Sequence, residues 1–289
     1  MKADDKAVNT PPAVSREQTL AMALSAWDMD RTRRERAESP RARVITLRTH
    51  GRLIAALEAR QQVPLPDRSY LLIQDGARNA CLLIHGTQNS PAILRPLADH
   101  LHGCGLTIYA PKLPGHSFEQ RSQIAWRAWS LDIRLRFRLL RQVYRRVHVV
   151  GYGFGAALAI HLASKEQVAG LALLAPAIIP RVTFFERILF LLGIHRLAWL
   201  RPRMGWHEEV LAGMKKARAR VPRLRTPIYA AQCEDDERIS SLSLRFLQKH
   251  VRHKASRFQV FPSGGHDILA THGSEVLYGE IQKFFRGRD

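Results

Sequence analysis

The chain has 289 residues, of which 46% are hydrophobic, enough to bury one substantial core; one large α/β domain with additions fits this length better than two equal domains. Lysine and arginine number 45 against 25 aspartates and glutamates, a formal charge of +20 that favours polyanions, anionic membrane surfaces or acidic ligands and says nothing about fold. The longest apolar stretch, Phe184 to Leu200, is interrupted by Glu186, Arg187, His195 and Arg196, which excludes a bilayer span there.

The first fifteen residues lack the apolar core of a secretory signal. Cys81, Cys104 and Cys233 are scattered without metal-ligand spacing, which suits a reducing compartment and predicts a cytoplasmic protein without a metal site. Residues 1–65 read as a helical or flexible extension. Within it, Ser15 and Gln18 resemble a capping box that starts a helix through Trp27, and a run of arginines and glutamates from Arg31 to Arg43 is either an exposed helix or a linker.

After Pro64-Leu65-Pro66 apolar strand runs begin to alternate with helical patterns. Tyr70 to Ile73 and Ala80 to Ile84 read as strands separated by a turn at Asp75-Gly76. His85-Gly86-Thr87 follows, then an amphipathic helix from about Ser90 to His102, a strand Leu106 to Ala110, and the loop Pro114-Gly115-His116-Ser117. The next helical stretch sets Arg127, Arg134, Arg138, Arg141 and Arg145 on one stripe, beside the apolar series Trp126, Ile133, Phe137, Leu140 and Tyr144. Such a stripe is either a solvated face or an anion-binding surface. It lacks the aromatic interleaving of a nucleic-acid site, so specific nucleic-acid binding is not expected.

A strand Val147 to Val150 then runs into Gly151-Tyr152-Gly153-Phe154-Gly155, and a helix continues from Ala156 to about Ser164. Strand, sharp turn and helix carry the spacing of a nucleophile elbow, Gly-x-Ser-x-Gly, with glycine at its centre. Further strands are expected at Gly170 to Leu174, Pro227 to Gln232 and Arg257 to Phe261. Apolar strands separated by helices imply an α/β fold with a mostly parallel central sheet covered by helices on both faces. Between these strands, residues 177–225 break the alternation and read as a helical cap inserted into the domain of residues 66–289, above the carboxyl ends of the strands.

Ester hydrolysis on such a scaffold needs a nucleophile, a histidine to take its proton, a carboxylate to orient the histidine and backbone donors for the oxyanion; it needs no cofactor. The loop after the strand ending near Gln232 offers Asp235, Asp236 and Glu237, and the loop after the last strand offers His266. The chain order is elbow, acid, histidine. His85 reads as a structural brace. Ser117 and Cys104, the nearest substitute nucleophiles, lie on a loop after a different strand and at a helix end.

Residues from about 68 to 289 resemble the α/β-hydrolase superfamily, most of all its bacterial carboxylesterase and monoacylglycerol lipase branch. The resemblance is carried by Leu82 to Thr87, Tyr109 to His116, the elbow, Gln232 to Ile239 and Ser263 to His266. It implies that the N–H groups of Thr87 and Phe154 form the oxyanion hole, that Asp236 is the acid orienting His266, and that the ligand is a small hydrophobic acyl compound. Gly153 departs from the pattern. Three readings follow: a hydrolase-like protein without acyl-enzyme catalysis, native or made by removal of a serine; a binding protein for an acyl ligand, membrane surface or protein partner; or water-mediated or proton-abstracting chemistry by Asp236 and His266.

Overall fold

The computed structural model describes residues 39–87, 89–115, 125–180, 201–271 and 273–287. The expected helix from Ser15 to Trp27, residues His116 and Ser117, and cap residues 181–200 lie outside these.

The described chain opens with α1 (Pro40–Arg60), whose start is set by Ser39: its side chain accepts the Ala42 N–H at 3.3 Å, and proline occupies the first turn. The strands are β1 (Tyr70–Leu72), β2 (Asn79–Ile84), β3 (Thr107–Ala110), β4 (Arg146–Tyr152), β5 (Leu171–Leu174), β6 (Ile228–Cys233) and β7 (Arg257–Phe261). They form one seven-stranded sheet in the order β1-β3-β2-β4-β5-β6-β7. Only β1 runs antiparallel, pairing Tyr70 with Ala110 of β3; the remaining pairs are parallel.

The alternating side chains of the inner strands divide the core in two. Leu82, Val149, Leu173 and Ala230 join one apolar cluster with α3 (Trp126–Val143), α4 (Phe154–Ala163) and α6 (Leu242–His250). Leu83, Val150, Leu174 and Ala231 join the other with α2 (Arg95–Gly103) and α7 (Ser274–Arg286). Because both faces are covered, these strands read in the sequence as unbroken apolar runs. The cap region contributes α5 (Arg201–Arg220), with Met214 and Ala217 in the first cluster. Among the described residues no helix is long and apolar enough to cross a membrane.

Several sequence expectations need correction. The helix expected from Ser90 begins as a 3-10 turn, Pro91–Leu94, because Pro96 at the first turn of α2 has no N–H to donate back into a continuous helix. The helix α3 ends at Val143, so Tyr144 and Arg145 fall beyond it. Its arginine stripe is also less free than its spacing implies: Arg134 and Arg138 converge on the Glu166 carboxylate, Arg138 at 2.9 Å. The helix α1 takes the helical of the two alternatives for residues 1–65, with bounds the sequence did not give, and α6 and α7 were not foreseen as elements.

Candidate active site

Gly153 stands between the last residue of β4 and the first of α4, with φ 58° and ψ −122°. A residue with a side chain pays strain in this region; glycine does not. The turn is held from both sides: Gly153 N–H donates to Leu174 O at 2.9 Å, and Gly153 O accepts from Ala177 N–H at 3.1 Å. The flanking glycines serve close packing. A Cβ at Gly151 would stand 2.5 Å from Gly155 O, and one at Gly155 would stand 2.2 Å from Ile84 O.

Parallel pairing of β6 with β7 brings the two following loops to the same edge of the sheet as the elbow, and there three consecutive acids grip one histidine loop. Asp235 accepts the N–H groups of Gly264 and Gly265 at 3.1 and 2.8 Å. Glu237 accepts the His266 N–H at 3.1 Å. Asp236 takes the ring: both of its oxygens lie 3.2 Å from His266 Nδ1. Asp236 also accepts Arg238 N–H at 3.0 Å and Ile239 N–H at 2.9 Å, and its side chain is 1% exposed.

Burial opposes ionisation of Asp236, yet the His266 hydrogen bond and the two backbone donors outweigh it and hold the carboxyl below its ordinary value of 3.8. A carboxyl depressed in the folded state adds stability above that ordinary value and loses it as pH falls toward the folded value. Urea midpoints measured through this acid range are therefore expected to fall with pH in the unmodified chain, and to fall less steeply in Asp236→Asn.

An ionised Asp236 assigns the ring proton to Nδ1, which leaves the Nε2 lone pair pointing outward. It points at the elbow: a Cβ built on Gly153 lies 3.4 Å from His266 Nε2 and 3.7 Å from the Cα of Gly86. Tyr152 supports the ring from behind, its hydroxyl donating to Asp267 Oδ1 at 2.7 Å and its ring centroid 5.3 Å from that of His266.

The loop after β2 closes the opposite side. Leu113 N–H donates to His85 Nε2 at 3.0 Å, so the proton sits on Nδ1, which donates to Gly86 O at 2.8 Å. His85 is thus a neutral brace holding Gly86 and Thr87 beside the turn. Phe154, the first residue of α4, belongs to the turn whose N–H groups have no acceptor within the helix. Its ring packs under the cap, where a Cβ at Gly213 of α5 would stand 2.6 Å away. Cys104 follows α2 as its C-cap.

The bracing extends back to α1. Glu58 accepts Ser69 N–H at 2.7 Å and Ser69 O–H at 2.6 Å, and Ser69 Oγ accepts Lys112 N–H at 2.8 Å, one residue before Leu113. Burial pushes the Glu58 carboxyl up, against the pull of these bonds. Glu58→Ala leaves the two Ser69 donors without their acceptor and is expected to cost about 1–3 kcal/mol in urea unfolding.

Gly153, Asp236, His266 and Phe154 are therefore brought together, with the Gly86-Thr87 loop alongside. The bracing roles of Asp235, Glu237, Tyr152 and Glu58 were not anticipated. Only the three adjacent acids facing a Gly-Gly-His sequence hinted at the first two, since sequence spacing does not reveal which donors a carboxylate meets. An oriented imidazole, a carboxylate behind it and a helix N-terminus in front are the parts of an acyl-transfer site.

Residues 81–278 match the Alpha/beta hydrolase family, and the chain belongs to it. Among curated proteins, it is 29% identical over 87 residues to the thermostable monoacylglycerol lipase of Bacillus sp. (strain H-257), covering 29% of this chain and 35% of that one. It is 40% identical over 103 residues to Lipase LipV of Mycobacterium tuberculosis (strain ATCC 25618 / H37Rv), covering 34% and 37%. The matches thus span little more than a third of either lipase. A solved structure from the metagenome-derived lipolytic enzymes LipS and LipT has a TM-score of 0.69 at 18% identity, covering 78% of this chain and all of that one, a likeness of fold.

Proposed function

We propose that this chain is a lipase-like α/β hydrolase that binds carboxylic esters or acids with hydrophobic acyl groups but cannot form an acyl-enzyme. The observation that carries this reading is the 3.4 Å separation between a Cβ built at Gly153 and His266 Nε2, which is where a serine hydroxyl would meet its base. In the proposed site the carbonyl oxygen rests on the N–H groups of Thr87 and Phe154, while Asp236 keeps His266 oriented. With no hydroxyl at 153, the carbonyl carbon meets no covalent nucleophile from the elbow.

The intact contact between Asp236 and His266, 3.2 Å to each carboxylate oxygen, favours a second route. There His266 Nε2 takes a proton from a water that attacks the carbonyl carbon, and returns it to the departing alkoxide. Without its nucleophile a triad site retains on the order of 10³–10⁴-fold acceleration over water. Three free cysteines, two of them buried, suit the cytoplasmic location we assign.

The test is hydrolysis of p-nitrophenyl acyl esters by the unmodified chain, His266→Ala and Gly153→Ser. Slow turnover abolished by His266→Ala supports the water route, and acyl-ligand binding without turnover supports a binding protein. Serine-enzyme rates in the unmodified chain would overturn the proposal.

A further inference from the structure

One face of α1 is spent on packing: Leu47, His50, Ile54 and Glu58 are buried there. The opposite face exposes arginines and aliphatic side chains together. Ile45 is 63% exposed and Leu53 50%, and Leu65, in the 3-10 turn after the helix, is 76% exposed; these are three of the seven exposed large hydrophobic residues among those described. Between them stand the exposed Arg41, Arg48, Arg52 and Arg60. The single carboxylate of α1, Glu58, is turned inward onto Ser69. The exposed Asp75 pairs with Arg48 at 2.6 Å, and Asp67, in the turn that bears Leu65, is half-buried. The positive surface continues onto the end of α3, where Arg43 donates to Gln142 O at 3.1 Å and Arg141 and Arg145 are exposed.

Charge complementarity calls for an anionic partner, and the interleaved aliphatic side chains narrow its class. A nucleic-acid backbone neutralises arginines but gives Ile45, Leu53 and Leu65 nothing to enter. The interface of a bilayer takes both: apolar side chains reach the acyl boundary while guanidinium groups stay at the level of anionic headgroups. The position of the face is also telling. Glu58 reaches the residue before β1, and β1 pairs Tyr70 with Ala110 at the carboxyl end of β3. The end of α1 and the turn bearing Leu65 therefore lie toward the sheet edge that carries Gly153 and His266.

We propose that this face docks the protein peripherally on an anionic lipid bilayer, with Ile45, Leu53 and Leu65 entering the interface and Arg41, Arg52 and Arg60 meeting the headgroups. The docking is independent of what the site does with an ester.

Co-sedimentation of the full chain with vesicles of phosphatidylcholine alone, and of phosphatidylcholine mixed with phosphatidylglycerol, tests it. Binding is expected on the mixed vesicles and not on phosphatidylcholine, weakening with added salt. Arg41→Gln combined with Arg52→Gln is expected to reduce partitioning on the order of 30-fold. Ile45→Ser combined with Leu53→Ser, which leaves the charge untouched, is expected to reduce it about 10-fold or more. All four positions are exposed, and unchanged melting temperatures would show that the variants fold. Absent binding, equal binding to both vesicles, or full binding by the serine variant overturns the proposal. So does a lipid-free dimer that the serine variant abolishes, since a second copy would then own the face.

Discussion

Gly153→Ser is expected to raise hydrolysis of a short p-nitrophenyl acyl ester by on the order of 10³-fold or more, because loss of the nucleophile from a serine triad costs as much as about 10⁶-fold in turnover. The geometry for that gain is present. A Cβ at this position stands 3.4 Å from His266 Nε2, so an Oγ one bond further falls within hydrogen-bond reach of the base, and Asp236 already fixes the ring. The gain carries a stability cost of about 1–3 kcal/mol, since any residue other than glycine is strained at φ 58°. Steady-state rates and urea midpoints of the same preparation measure both effects. Adding His266→Ala to the serine variant should return the rate to that of the unmodified chain or below it. A folded serine variant with no gain, or a gain that survives loss of His266, would contradict the assignment of this turn as an emptied nucleophile position.

The second large effect is expected at Gly155→Ala. The new methyl group would stand 2.2 Å from Ile84 O and 2.6 Å from His85 O, both of them backbone atoms at the end of β2 that cannot swing aside. The start of α4 must retreat, at a cost of about 3 kcal/mol or more, a large share of the roughly 5–15 kcal/mol that holds an ordinary domain. That retreat carries Gly153 and Phe154 away from His266. In the Gly153→Ser background the rate is expected to fall on the order of 10²-fold, as for an active-site displacement near 1 Å. Gly279→Ala on α7 is the control: a Cβ there meets nothing within 4 Å, so helix propensity alone should stabilise by about 0.5–1 kcal/mol. Equal urea midpoints for the two alanine variants would refute the packing argument.

These expectations show how unevenly the molecule is written into its sequence. Leu82, Val149, Leu173 and Ala230 fall in apolar runs that name their own strands, because both sheet faces are covered. The helix α1 hides its periodicity, since Ile45 and Leu53 face outward while Leu47 and Ile54 face inward, so apolar residues mark both sides. The arginine series on α3 is visible as a spacing, but Glu166, which draws Arg134 and Arg138 together, lies on a separate segment. Asp235, Asp236 and Glu237 are adjacent and alike in type, and only the family resemblance singles out Asp236. They part company only when the chain folds, two taking backbone N–H groups and one taking the imidazole.

By itself the sequence determined the α/β class, the order of elbow, acid and histidine, and the want of a hydroxyl at position 153, for these depend on local pattern and residue identity. Tertiary structure alone decided how the three acids divide their partners on the histidine loop, that the outer nitrogen of His266 aims at Gly153, and that Glu58 braces the loop opposite. The reason is that hydrogen-bond partners far apart in the chain are chosen by strand register and loop closure, which no local spacing encodes.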